Sequence, residues 1–220
     1  LGIDPSLEYL HSSGGLLYAL KGEKEKAFSS FVQYNDLVKG NEGLEINGLF
    51  YTAFNYFLFG DFQEANRLIK TSLELLSKYP TILGYQENYW LKGIISFHSG
   101  DSSELNNMIE LFSRAIDKYK FSKTSYHPVY KYFVHLKILA AILSGKKDQL
   151  QAYLNILDYD IVEKVKDHGS IFDYSFINYH LFKVFTSKKF ENKKYALLHK
   201  QKAENKNSYY KLVNPGFHNI

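Results

Sequence analysis

Cysteine is absent from the 220 residues. That absence removes disulfides, thiolate metal sites and cysteine nucleophiles together, and it fits a reducing compartment. Proline occurs four times and glycine fourteen times, too rarely for a collagen-like chain or a Pro-rich linker. No apolar run approaches the ~20 residues that a membrane-spanning helix needs. Ile94–Phe97 and Ile138–Leu143 are the longest candidates, and both are short and interrupted. The N-terminus lacks the charged, apolar and small-residue succession of a secretory signal. The chain is therefore expected in the cytoplasm, without a membrane span. It opens on Leu1 rather than Met, which leaves room for an upstream piece.

Catalytic signatures are missing as well. The eight histidines (His11, His98, His127, His135, His168, His180, His199 and His218) are scattered, and no two lie four residues apart. A His-Glu-x-x-His helix is thus excluded. No Gly-x-Ser-x-Gly elbow occurs, and Gly145-Lys146 lacks the upstream Gly of a phosphate-cradling loop. Neither a dinucleotide fingerprint, an EF-hand loop nor an Asn-x-Ser/Thr acceptor is found. The acids Asp158, Asp160 and Glu163 read as a solvated helix start. The expectation is a protein without catalysis, cofactor or metal.

What the chain does have is apolar and aromatic. Hydrophobic residues make up 45% and charged residues 23%, which excludes a wholly disordered polymer. Tyr and Phe number 19 and 17, and a chain of this length can bury a core unaided. Charge is unevenly placed. From Lys183 to Lys211 nine Lys face two Glu, a surplus of seven that leaves the remainder near −3.

Internal repetition organises these residues. One segment reads Leu49-Phe50-Tyr51-Thr52-Ala53-Phe54-Asn55-Tyr56-Phe57-Leu58-Phe59, then Gly60-Asp61-Phe62-Gln63-Glu64-Ala65, then a helical stretch to Pro80. Its first half is apolar nearly all round, as befits a helix buried between neighbours. Gly60 can take the left-handed conformation that closes a helix, and Asp61 is a good cap for the next one. Ala65 is small where two helices approach, and Leu68, Ile69, Ser72, Leu73, Leu75 and Leu76 keep helical spacing. Related turns fall at Gly22, Gly100, Gly145 and Lys188, giving spacings of 38, 40, 45 and 43 residues. Asn47-Gly48 reads as a turn between repeats, and Asp4-Pro5 as a cap followed by Pro in the first helical turn.

These marks resemble the tetratricopeptide repeat family. The second unit supplies Leu49, Thr52-Ala53, Tyr56, Gly60-Asp61-Phe62 and Ala65. The first supplies Gly14-Gly15, Tyr18, Gly22-Glu23, Ala27, Phe31 and Tyr34. Tyr89-Trp90, Lys92-Gly93, Phe97 and Gly100-Asp101 make a third, whose second helix carries an insertion before Ala115. Weaker units follow at Ile138, Ala141, Ser144-Gly145 and Leu150, and at Phe182, Phe185, Lys188 to Glu191 and Tyr195-Ala196. The resemblance implies an all-α, right-handed superhelix of about five antiparallel helix pairs over residues 1–204, with a C-terminal tail over 205–220. A HEAT-like hairpin array is the alternative fold.

The family's groove is lined by the first helix of each pair. Carried onto this sequence, the positions that would bind a protein or peptide are Phe50, Tyr51, Phe54, Trp90, Ile94, His98, His135, Tyr179 and Phe182. Asn47, Leu58, Glu87, Leu91, Leu136, Leu139 and Asn178 join them. The polar clamp that holds a terminal carboxylate in the family is absent, and rings favour an apolar or aromatic-bearing segment. The same rings could instead pack on one another or form a homodimer face. The implied function is a scaffold or adaptor. The alternative is the ligand-sensing domain of a bacterial peptide-responsive transcriptional regulator, whose DNA-binding part would lie outside this chain. Lys188, Lys189, Lys193, Lys194, Lys200 and Lys202, flanked by Phe190, Tyr195, Tyr209 and Tyr210, admit a nucleic-acid or acidic partner. A solubilising terminal helix is the preferred reading, so nucleic acid is not the expected partner.

Overall fold

The computed structural model describes residues 5–78, 87–118, 128–159 and 174–205, and among these there is no strand. Ten helices follow one another among the described residues: α1 (Pro5–Leu20), α2 (Lys24–Val38), α3 (Glu42–Leu58), α4 (Phe62–Lys78), α5 (Glu87–Ser99), α6 (Ser102–Lys118), α7 (Pro128–Leu143), α8 (Lys147–Tyr159), α9 (Tyr174–Thr186) and α10 (Lys193–Asn205). The described residues fall into two compact units, one reaching Ile95 and the other starting at Ser96. In the first unit α1 packs on α2 and α3 on α4, with further contact of α3 to α1 and α2. In the second, α7 packs on α8 and α9 on α10, while α6 and α9 also meet α7. Asp4, Pro80 and the tail beyond Asn205 lie outside the described residues.

Four turns between helices are closed by one device. Gly22, Gly60, Gly100 and Gly145 have φ of 74°, 81°, 76° and 66°. After each glycine the next N–H returns to a carbonyl five residues back: Glu23 to Tyr18 and Asp61 to Tyr56 at 2.9 Å, Asp101 to Ser96 at 2.9 Å, and Lys146 to Ala141 at 3.0 Å. The glycine N–H itself reaches three residues back, as from Gly60 to Phe57 at 3.0 Å. This double closure satisfies carbonyls that a helix end would otherwise leave bare, and it needs a residue free to turn left-handed. Gly145→Ala tests the requirement cleanly, because a Cβ there would meet nothing within 4 Å. Only backbone strain remains, and stability should fall by about 1–2 kcal/mol; a denaturation midpoint equal to the parent's would count against it.

Lys188 has no such freedom, and the fifth turn is built differently. The Ser187 N–H returns to Lys183 and Val184, and the Asn192 N–H reaches Phe185 at 2.9 Å, so six residues separate α9 from α10. Caps for the next helices are supplied locally. Asp61, Asp101 and Asn192 each accept from the N–H three residues on, at 3.1, 2.9 and 3.1 Å.

Three expectations are corrected. Asn47-Gly48 is not a turn but lies inside α3, and the chain reverses at Gly40, with φ of 86°. Gly48 is small because α2 crosses it there: a Cβ would fall 2.2 Å from the Asn35 Oδ1 and 3.1 Å from the Tyr34 ring. No insertion precedes Ala115, since α6 is continuous and Leu105, Met108, Phe112 and Ile116 form one buried stripe. Leu105, four residues after the Asp101 cap, takes the place that Ala65 holds after Asp61. Asp158 sits in the last turn of α8 rather than at a helix start, and Asp160 and Glu163 fall outside the described residues.

The two helix types bury different amounts. α4 hides Ala65, Leu68, Ile69, Ser72 and Leu76 along one face and keeps charged residues on the other. In α5, by contrast, every residue from Trp90 to Phe97 is buried. That division follows the sequence pattern, because a one-sided apolar stripe covers one neighbour and an all-round pattern needs several.

Candidate functional site

The expected groove residues separate into two groups. Phe50, Phe54, Trp90, Ile94 and His135 are buried, as are Leu58, Leu91, Leu136, Leu139 and Asn178. Trp90 has 0% exposure and stacks on Phe54 with centroids 6.2 Å apart, while Phe50 also stacks on Phe54 at 6.3 Å. These rings pack on one another and have no surface to offer a partner as they stand. Tyr51, His98, Tyr179 and Phe182 are part-exposed, together with Asn47 and Glu87. Tyr51 leans on Phe31, Tyr34 and Phe50. Tyr179 and Phe182 meet edge to face at 5.9 Å on α9, and partial burial raises the Tyr179 hydroxyl above its ordinary pKa.

The second unit also assembles polar side chains that the sequence shows only as scattered histidines. His98 Nε2 lies 2.9 Å from His180 Nε2, and His180 Nδ1 lies 3.1 Å from His135 Nε2. The rings meet nearly edge-on, at interplanar angles of 76° and 79°. Phe97 and Phe176 pack against His180, the latter nearly parallel to it. Two residues before His180, Asn178 Oδ1 lies 2.7 Å from His199 Nδ1 of α10.

Burial among rings disfavours a charged imidazole. It lowers the His98 pKa to about 4. His135 is lowered to about 3, chiefly by burial, with His199 and His98 adding repulsion. His180 falls well below its usual value, chiefly by burial, with His135 and His98 adding repulsion. The row is therefore neutral at pH 7. His180 spends both ring nitrogens on the two neighbouring histidines, so the three do not converge on one point. Among the described residues no group of three or more His, Asp or Glu has the arrangement to hold a metal ion.

Sequence reasoning counted His180 only among the scattered histidines and gave it no place in a site. Its partners stand 82 and 45 residues away, and no local spacing links them. The one available signal was the appearance of a histidine midway along both α7 and α9.

The lysine-rich end turns its charges and rings in opposite directions. Lys188, Lys189, Lys193, Lys194 and Lys200 are exposed. Phe190 packs on Phe97 at 5.4 Å, and Tyr195 packs on Phe185 at 5.2 Å while its hydroxyl donates to Gln151 Oε1 at 2.6 Å. Those two rings are engaged within the protein rather than presented for stacking on bases. Tyr209 and Tyr210 lie outside the described residues. No described helix is long and apolar enough to cross a membrane.

Comparison with known proteins returns no matching family model, no matching curated protein and no matching solved structure.

Proposed function

We propose that the chain is a non-catalytic interaction module, a tetratricopeptide-like array of helix pairs that holds a protein or peptide. The supporting observation is the repeated helical hairpin itself, closed four times by the same glycine geometry. Such units stack in tandem and present the surface of their first helices to ligands. On this reading the second unit makes contact through the part-exposed rings of Tyr179 and Phe182 on α9. An aromatic pair with one open side offers a rigid apolar anchor at small entropic cost. The module would work in the cytoplasm.

A photo-crosslinking residue placed at position 182 should capture a discrete protein or peptide from native extract, whereas one at Gln63 on α4 should not. In the Tyr179→Ser/Phe182→Ser variant recovery of that species should fall at least about tenfold, with the helical circular-dichroism spectrum unchanged. Undiminished recovery would remove α9 from the contact surface. Capture of a second copy of the chain alone would turn the reading into one of self-association.

A further inference from the structure

We propose that the turn edge of the second unit is a docking surface for anionic lipid, a rim of lysines set around the exposed side chain of Leu197. The inference goes beyond the contact surface on α9 and does not depend on it.

Packing brings separate basic segments together at this edge. The turn between α9 and α10 lies against the turn after α5: Phe190 packs on Phe97 with centroids 5.4 Å apart, and a Cβ on Gly100 would stand 3.9 Å from the Lys189 Nζ. In the first turn of α10 the Tyr195 hydroxyl donates to Gln151 Oε1 of α8 at 2.6 Å. Gln151 is one helical turn beyond Lys147, the first residue of α8. Lys146 and Lys147 are thereby placed on the same edge as Lys188, Lys189, Lys193 and Lys194, and all six are exposed.

Their charge is not cancelled within the protein. The exposed acids of this edge are Asp101, Asp148 and Glu191, and Asp101 is committed to capping α6. Among the described residues no carboxylate lies within ion-pairing distance of Lys146, Lys147, Lys188, Lys193 or Lys194. In the first unit, by contrast, Lys26 pairs with Glu23 and Arg67 with Glu64. α10 has no acidic residue in its first turn, so Lys193 and Lys194 also oppose the partial positive charge of their own helix end. Folding gains nothing from lysine at those two positions; an anion outside the chain would.

Leu197 decides the kind of anion. It is 59% exposed, and Lys193, Lys194 and Lys200 stand three or four residues from it, exposed on the same face of α10. Val32, equally exposed on α2, has Ser29 and Asp36 at such positions. An aliphatic side chain ringed by lysines matches the boundary between lipid headgroups and acyl chains, where charge and a buried apolar group act together. A nucleic acid would be met by open rings or arginine forks. Here Phe190 and Tyr195 pack inward, and the two arginines, Arg67 and Arg114, belong to α4 and α6. Lysines on flexible stems demand no fixed geometry of the anion, which suits a fluid surface better than a folded protein partner.

Co-sedimentation with vesicles tests the assignment. The parent should bind vesicles of equal parts phosphatidylserine and phosphatidylcholine, and pure phosphatidylcholine at least about tenfold less. Each lysine near an anionic surface contributes about fivefold to partitioning. Lys146→Gln/Lys147→Gln/Lys193→Gln/Lys194→Gln should therefore bind the anionic vesicles on the order of 10²-fold more weakly, with an unchanged circular-dichroism spectrum. Because the chain lacks cysteine, an environment-sensitive fluorophore can be attached uniquely to Leu197→Cys or to Val32→Cys. On anionic vesicles its emission should shift to the blue at position 197 and stay unshifted at position 32. Failure to bind the anionic vesicles, equal binding to both kinds, or parent-like binding by the quadruple variant would overturn the proposal. Vesicle binding without a blue shift at position 197 would do the same, as would capture by polyglutamate or RNA but not by anionic vesicles.

Discussion

Trp90→Ala should lower the unfolding free energy by about 3–5 kcal/mol, the range for deleting a large ring from a packed core. The indole has no exposed surface and stacks on Phe54, which in turn stacks on Phe50. Removing it forfeits the transfer energy of the ring and leaves a void beside Phe54 that a packed core closes only in part. Urea denaturation of parent and variant measures the difference. The measurement also separates two roles for these rings. A ring held open for a partner would cost little stability when truncated and much binding; a core ring does the reverse. A loss under about 1 kcal/mol would place Trp90 in the first class and contradict its burial.

Asn55→Leu should act in the opposite direction and raise stability by about 1–2 kcal/mol. The Asn55 side chain is fully buried in α3, and neither its Nδ2 nor its Oδ1 has a hydrogen-bond partner among the described residues. A buried polar group without a partner costs roughly 1–3 kcal/mol relative to one left in water. Leucine keeps the branching at Cγ, replaces both polar atoms with methyls, and is the better helix former. Equilibrium unfolding again gives the answer. A decrease of 1 kcal/mol or more would mean that the amide is satisfied by a bound water, and that the apolar replacement strands that water instead.

Much of the fold was legible because its determinants are local. Gly22, Gly60, Gly100 and Gly145 each have to adopt positive φ, and few other residues do so without strain, so the turns can be read one at a time. Asp61 is likewise recognisable as a cap because the N–H it accepts from is only three residues on. Gly48 misled for the same reason. A glycine after asparagine is a common turn signal, but here its smallness serves the crossing of α2 at Tyr34 and Asn35, which no local pattern records. Ala115 misled because the expected small residue is replaced by Leu105 in α6.

The sequence by itself determined that this chain would form paired helices with glycine-closed turns, since helical period, capping and left-handed turns depend on neighbours a few residues apart. Tertiary structure alone decided which rings are covered. Phe54, Trp90, Tyr179 and Phe182 have similar chemistry and similar places in their helices, yet the first two are enclosed and the last two partly open. It alone also brought His98, His135 and His180 into one row. A hydrogen bond between rings requires them within about 3 Å, and residues 45 and 82 positions apart reach that distance only after the helices have packed.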